Sequence, residues 1–161
     1  MHHEEGMDRM ATEHDMDATR IRQQVDALAD FLHAKDAEGL RGLYATDVVS
    51  FDIDPPLQHL GVEAKMKNWA NAFAFFDDLA YEIRDFHLTV GGDVAFGHGF
   101  GRLSGTLKNG SATAGMWVRA TFGFRKVDGT WVIAHDQVSV PFDVTTGDAV
   151  TDLEPAALAG A

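Results

Sequence analysis

Residues 116–141 read MWVRATFGFRKVDGTWVIAHDQVSVP, two runs of alternating side chains hinged on Asp128-Gly129. Glycine accepts the positive φ that a tight hairpin loop requires, so this break is a turn with a mechanism. Before it, Met116, Val118, Ala120, Phe122 and Phe124 share one face, and Trp117, Arg119, Thr121 and Arg125 the other. After it, the same period sets Trp131, Ile133, His135, Gln137 and Ser139 opposite Val132, Ala134, Asp136 and Val138. Strands this long, with polar groups among the apolar ones on both faces, predict a curved sheet covering a cavity, the setting of small-molecule sites.

Further strands are expected at about 80–90 and 93–106, with Gly91-Gly92, Asn109-Gly110 and Asp128-Gly129 as breaks. Three such breaks in a row predict an antiparallel meander. In the stretch Val94–Arg102 one face carries Val94, Phe96, His98, Phe100 and Arg102, and the other only Ala95, Gly97, Gly99 and Gly101. A glycine face eases curvature or lets another backbone approach closely. Upstream, Ile21, Val25, Leu28 and Leu32 repeat with a helical period over about 17–34. Asp36 is a good N-cap for a short helix over 37–44, and a strand over 48–53 stops at Pro55-Pro56. Met66, Trp69, Ala70 and Phe73 mark a third helix over 61–75. Helices first and a curved antiparallel sheet second predict an α+β fold. Residues 1–16 read as a flexible N-terminal extension, 17–142 as the domain, and 143–161 as a flexible tail.

The chain of 161 residues carries a formal charge of −12. That balance argues against nucleic acid and against an anionic membrane surface as partners. There is no cysteine, hence no disulfide, thiolate nucleophile or cysteine metal site. No run reaches the length of a membrane span, and MHHEEGMDRM lacks the basic and apolar regions of a signal peptide, so the expected location is cytoplasmic. His2, His3, Glu4 and Glu5 are consecutive rather than spaced to close a coordination sphere, so no metal is expected. No Gly-rich phosphate loop or Gly-x-Ser-x-Gly elbow is present, and no cofactor is expected.

The stretch Tyr44–Asp52 followed by Pro55-Pro56-Leu57 and Gly61, together with Phe124-Arg125-Lys126, Asp128-Gly129, Trp131, Ile133, His135, Ser139 and Pro141, resembles SnoaL-like, ketosteroid-isomerase-like proteins of the nuclear transport factor 2-like superfamily. The resemblance covers about residues 18–142 and implies a cone in which three N-terminal helices pack against a curved antiparallel sheet. The scaffold serves isomerases, hydrolases, cyclases, binding proteins and assembly domains, so it implies little about function. By the same resemblance Asp52 matches the catalytic aspartate of the steroid isomerases. Their tyrosine donor falls at Leu28 and their protonated acid at or near Ala120, so steroid isomerase activity proper is not expected. Epoxide-hydrolase-like relatives suggest His98 and Asp136 as base and orienter, although their Arg-x-Asp run is missing. A Trp-x-x-x-His-x-x-x-Ser pattern at Trp131, His135 and Ser139 is similar to the association domain of the calmodulin-dependent kinase.

The candidate catalytic residues are therefore Asp52, His98 and Asp136. A carboxylate such as Asp136 on an apolar strand face needs a partner or a wet cavity. The candidate pocket wall is Phe51, Trp69, Phe73, Phe96, Phe100, Met116, Val118 and Val138, and His59 follows Pro55-Pro56 where the mouth would lie. Trp117, Arg119, Trp131, His135 and Gln137 are expected on a homodimer face, since Trp and Arg anchor such surfaces. Two readings stay open. One is a pocket for a small apolar carbonyl or polyketide-like molecule, with cofactor-free acid–base isomerase, cyclase or hydrolase chemistry. The other is a non-catalytic dimerisation, association or ligand-storage module.

Overall fold

The computed structural model describes residues 2–156, with side chains from residue 12 onward. Three helices, α1 (His2–Ala34), α2 (Ala37–Leu43) and α3 (Val62–Phe75), pack on one face of a sheet. The sheet comprises β1 (Tyr44–Phe51), β2 (His59–Leu60), β3 (Phe76–Gly91), β4 (Val94–Leu107), β5 (Met116–Val127) and β6 (Thr130–Ser139). The spatial order is β2-β1-β6-β5-β4-β3. The meander β3–β6 is antiparallel throughout, while β1 runs parallel to β6 and antiparallel to β2. This is the α+β architecture the sequence predicts, with two strands beyond the meander, β1 and the edge strand β2.

Local chemistry explains the joints. Asp36 caps α2 by accepting from the Gly39 amide at 2.9 Å. Asp128 and Gly129 both take positive φ, so the β5–β6 hairpin closes on two residues. The apolar stripe Ile21, Val25, Leu28 and Leu32 is buried, and α1 lies across β3. The core closes on the inward side chains of β5, Val118, Ala120, Phe122 and Phe124. A buried carboxylate, Asp17, ties α1 to the β5–β6 hairpin by accepting from Trp131 Nε1 at 2.9 Å and Lys126 Nζ at 3.2 Å. Among the described residues no helix is long and apolar enough to cross a membrane.

Three expectations are corrected. Helix α1 starts at His2, not near residue 17, and the segment has no proline to break it. The segment after 142 forms a hairpin, β7 (Phe142–Asp143) with β8 (Asp148–Ala149), in which Asp143 Oδ1 accepts from the Thr145 amide at 2.9 Å. The remainder of the expected tail, from residue 157, and Met1 lie outside the described residues. Third, β6 does not alternate strictly. Phe124 pairs with Ile133 and the adjacent Gly123 with His135, so Ala134 is an extra residue, a bulge. Trp131 and Ile133 before it and Asp136 after it all turn inward, and Trp131 is 1% exposed rather than part of the outer face with His135 and Gln137.

Candidate functional site

The inward positions of β1 are Val48 and Ser50, and Asp52 follows just past the strand end. Parallel pairing sets Ser50 beside Asp136 of β6. Across from them α3 presents Lys65, on the helix face it shares with Val62 and Trp69. Lys65 is 2% exposed, and its ammonium lies 2.9 Å from Ser50 Oγ, 2.9 Å from Asp52 Oδ1 and 3.3 Å from Asp136 Oδ2. Three ammonium protons thus face three oxygens. Ser50 Oγ donates in turn to Asp136 Oδ1, and Asn68 Nδ2 donates to Asp52 Oδ2 at 2.6 Å. His59 Nε2 sits 3.4 Å from Asp52 Oδ2, close enough for an ion pair but not aligned as a hydrogen bond.

Burial on its own would push the Lys65 ammonium toward neutrality. The Tyr44 oxygen and the Asp136 and Asp52 carboxylates outweigh it, and Lys65 is held above the ordinary lysine range. Burial raises the Tyr44 phenol too, and its oxygen accepts from Trp69 Nε1 at 3.2 Å. Tyr81, on β3, is pushed up to about 12 by burial, with the Asp136 charge adding to it. Both phenols are therefore neutral donors at ordinary pH.

Beside this cluster a cavity of about 380 Å³ opens between α3 and the sheet. Its wall is mainly apolar, from Trp69, Ala72, Phe76, Met116, Val118 and Val138, with Asp52, Asn68 and Tyr81 among its polar groups. The Tyr81 hydroxyl has no hydrogen-bond partner among the described residues. Lys65 and Asp136 lie behind the wall, whereas Asp52 belongs to both the cluster and the cavity. Among the described residues no group of His, Cys, Asp and Glu is placed to hold a metal ion.

The structure brings two of the three expected catalytic residues together, Asp52 and Asp136, through Lys65. His98 is corrected: it is exposed on the outer face of the sheet, stacked on His87 at 5.3 Å. Phe96 and Phe100 share that outer face, and Phe96 is 55% exposed, so neither lines the cavity. The reason lies on β3. The Phe86 ring crosses Gly97 and the Tyr81 ring crosses Gly101 on the inner side, where a Cβ would overlap them, while Gly99 lies against the β3 backbone. The glycine face is the inward one because rings of the neighbouring strand fill it. Trp69, Met116, Val118 and Val138 line the cavity. Phe73 stacks on Trp69 and packs against the core, and Phe51 sets its ring edge-on to His135, outside the cavity.

Sequence reasoning missed Lys65, Asn68 and Tyr81. A signal for Lys65 existed: it lies three residues after Val62 and four before Trp69, on the apolar stripe of α3. A carboxylate on the inner face of β6 needs a cation partner. Tyr81 gave no comparable signal, since the room for its ring comes from Gly101, a diagonal neighbour on β4.

The SnoaL-like domain family matches residues 21–143. An NTF2-like protein of unknown function from Pseudomonas putida KT2440 is 28% identical, with a TM-score of 0.77, over 85% of this chain and 95% of its own. A proposed dehydratase of the NTF2-like family from Streptomyces avermitilis is 20% identical, with a TM-score of 0.70, over 78% and 97% of the two chains. An NTF2-like superfamily protein from Salmonella enterica is 14% identical, with a TM-score of 0.71, over 82% and 96%. None of the curated proteins compared matches the chain. With three quarters of its length inside the family match and the helices-on-sheet cone around it, the chain belongs to the SnoaL-like domain family of the NTF2-like superfamily.

Proposed function

We propose that this domain binds a small, mainly apolar molecule in the cavity between α3 and the sheet, and that Asp52 acts there as a cofactor-free proton acceptor. The observation that carries the reading is the position of Asp52. Its carboxylate stands in the wall of a largely apolar cavity, with Lys65 holding one oxygen from behind and Asn68, itself in the wall, holding the other. Each carboxylate oxygen has a second lone-pair site, so fixing does not close either one to a ligand. Tyr81 supplies a neutral O–H in the same wall, able to donate to an oxygen that gains negative charge. Carboxylate and phenol around one apolar volume suit proton transfer next to a carbonyl, the step shared by isomerisation, cyclisation and dehydration. One similar structure is a proposed dehydratase, which agrees with that class.

The test is a thermal-shift and turnover screen of aromatic and polyketide-like carbonyl compounds. Ligands should shift the melting temperature of the native protein and fail to shift Ala72→Trp, whose indole fills the cavity. With a substrate in hand, Asp52→Asn should reduce turnover by ~10²–10⁴-fold. Equal binding by Ala72→Trp removes the pocket reading, and full turnover by Asp52→Asn removes the base.

A second reading, assembly, is favoured by a different observation. The outer sheet face carries exposed Val94 and Phe96 together with Phe100, Trp117, Arg84 and Arg119. We propose that this face pairs two copies of the chain.

A further inference from the structure

The pocket reading leaves the chemistry of the ligand open, and the cavity wall narrows it. Four aromatic rings, Trp69, Phe75, Phe76 and Tyr81, stand in that wall with two carboxylates, Asp52 and Asp54. No lysine, arginine or histidine lines it. The faces of aromatic rings attract cations, most strongly where water is thin. The protein already uses one of these rings in that way, since Lys65 Nζ lies 5.1 Å from the Trp69 ring centre.

The charge balance points in the same direction. Behind the wall one ammonium, Lys65, stands between two carboxylates, Asp52 and Asp136, so carboxylates outnumber the ammonium there, and His59 Nε2 lies 3.4 Å from Asp52 Oδ2. Asp54 adds a further negative charge at the exposed loop. A carboxylate or phosphate entering here would meet no cationic donor, only the Asn68 and Asn71 amides and the Tyr81 hydroxyl. A neutral molecule could bind but would leave the excess charge unused. The whole chain, at −12, adds a field that concentrates cations around it.

Resting on the pocket reading, we propose that the molecule held in this cavity is an organic cation: an apolar body carrying a protonated or quaternary nitrogen. The nitrogen sits in the aromatic part of the wall near Asp52 and Asp54, and the body lies on Met116, Val118 and Val138.

The experiment is calorimetric titration with three naphthalenes of matched shape, naphthylethylamine, naphthylethanol and naphthylpropanoate. The amine should bind about tenfold more tightly than the alcohol, and the carboxylate should not bind. Asp54→Asn, an exposed loop position, should shrink the advantage of amine over alcohol, and Ala72→Trp should abolish binding of both. If the alcohol binds as tightly as the amine or more so, the cation proposal falls and the pocket reading stands. If no member binds, both fall. If the amine binds Ala72→Trp as well as native protein, it is held by the acidic surface, and the cation site is again refuted.

Discussion

Lys65 carries more of this structure than its place in the sequence suggests. A buried ammonium between two carboxylates adds little net stability, because its desolvation offsets most of the attraction, but removing it strands both acids. Lys65→Met should therefore cost about 3–5 kcal/mol of unfolding free energy. Adding Asp52→Asn and Asp136→Asn to Lys65→Met should recover most of it, since no charge is then left unpaired. Urea unfolding at pH 7 reads both; a single variant within 1 kcal/mol of native would mean that the cluster is wetter than its geometry shows. The pH dependence has a definite sign. Lys65, Tyr44 and Tyr81 all hold their protons more tightly folded than unfolded. Their contribution is complete below the ordinary lysine and tyrosine range and is lost as pH rises through about 10 and beyond, where only the unfolded chain releases protons. The urea midpoint should thus fall above about pH 10, and less steeply in Lys65→Met. A midpoint that rises with alkali would contradict the cluster. Asp136 was legible as an acid needing a partner, and Asp52 only as a candidate base; the lysine that pairs with both was hidden by its own type, which on most helices marks solvent.

At the scale of elements, strand periodicity was readable wherever the ladder is regular and misleading where it is not. The alternation of β5 separates core from surface correctly along its length, because its pairing with β4 has no irregularity. On β6 the bulge at Ala134 moves Trp131 and Asp136 to the same side, and no glycine or proline announces it. On β4 the alternation was visible but its sense was not, because the deciding volumes belong to β3. That dependence can be measured. A Cβ on Gly101 would overlap the Tyr81 ring, so Gly101→Ala should destabilise the protein by about 1–3 kcal/mol. In the background of Tyr81→Ala the same substitution should cost much less, giving a coupling in a double-mutant cycle. Additive effects would show that Gly101 is required by backbone curvature and not by the ring.

The molecule as a whole has two distinct faces on opposite sides of one sheet, the helix-covered cavity and an uncovered outer surface. The four meander strands, about 4.8 Å apart and about a dozen residues long, present on the order of 800 Å² on that surface, which is what one partner contributes to an interface of standard size. Its chemistry suits such an interface: Arg84 lies 4.5 Å over the Trp117 ring, and exposed Phe96 and Val94 flank the stacked His87 and His98. Antiparallel strands allow a two-fold axis through the sheet centre, so one patch can meet its own copy. Light scattering after gel filtration should then give twice the 17.6 kDa chain mass. Trp117→Glu should give 17.6 kDa with an unchanged circular dichroism spectrum, because each copy would have to bury the new carboxylate beside its partner. Native protein running at the chain mass at micromolar concentration would refute the assembly. Because the cavity faces the helices, its ligands should bind Trp117→Glu as they bind native protein, and Asp52→Asn should remain a dimer. If instead monomerisation abolishes binding, the cavity is completed across the interface, and the two faces act as one site.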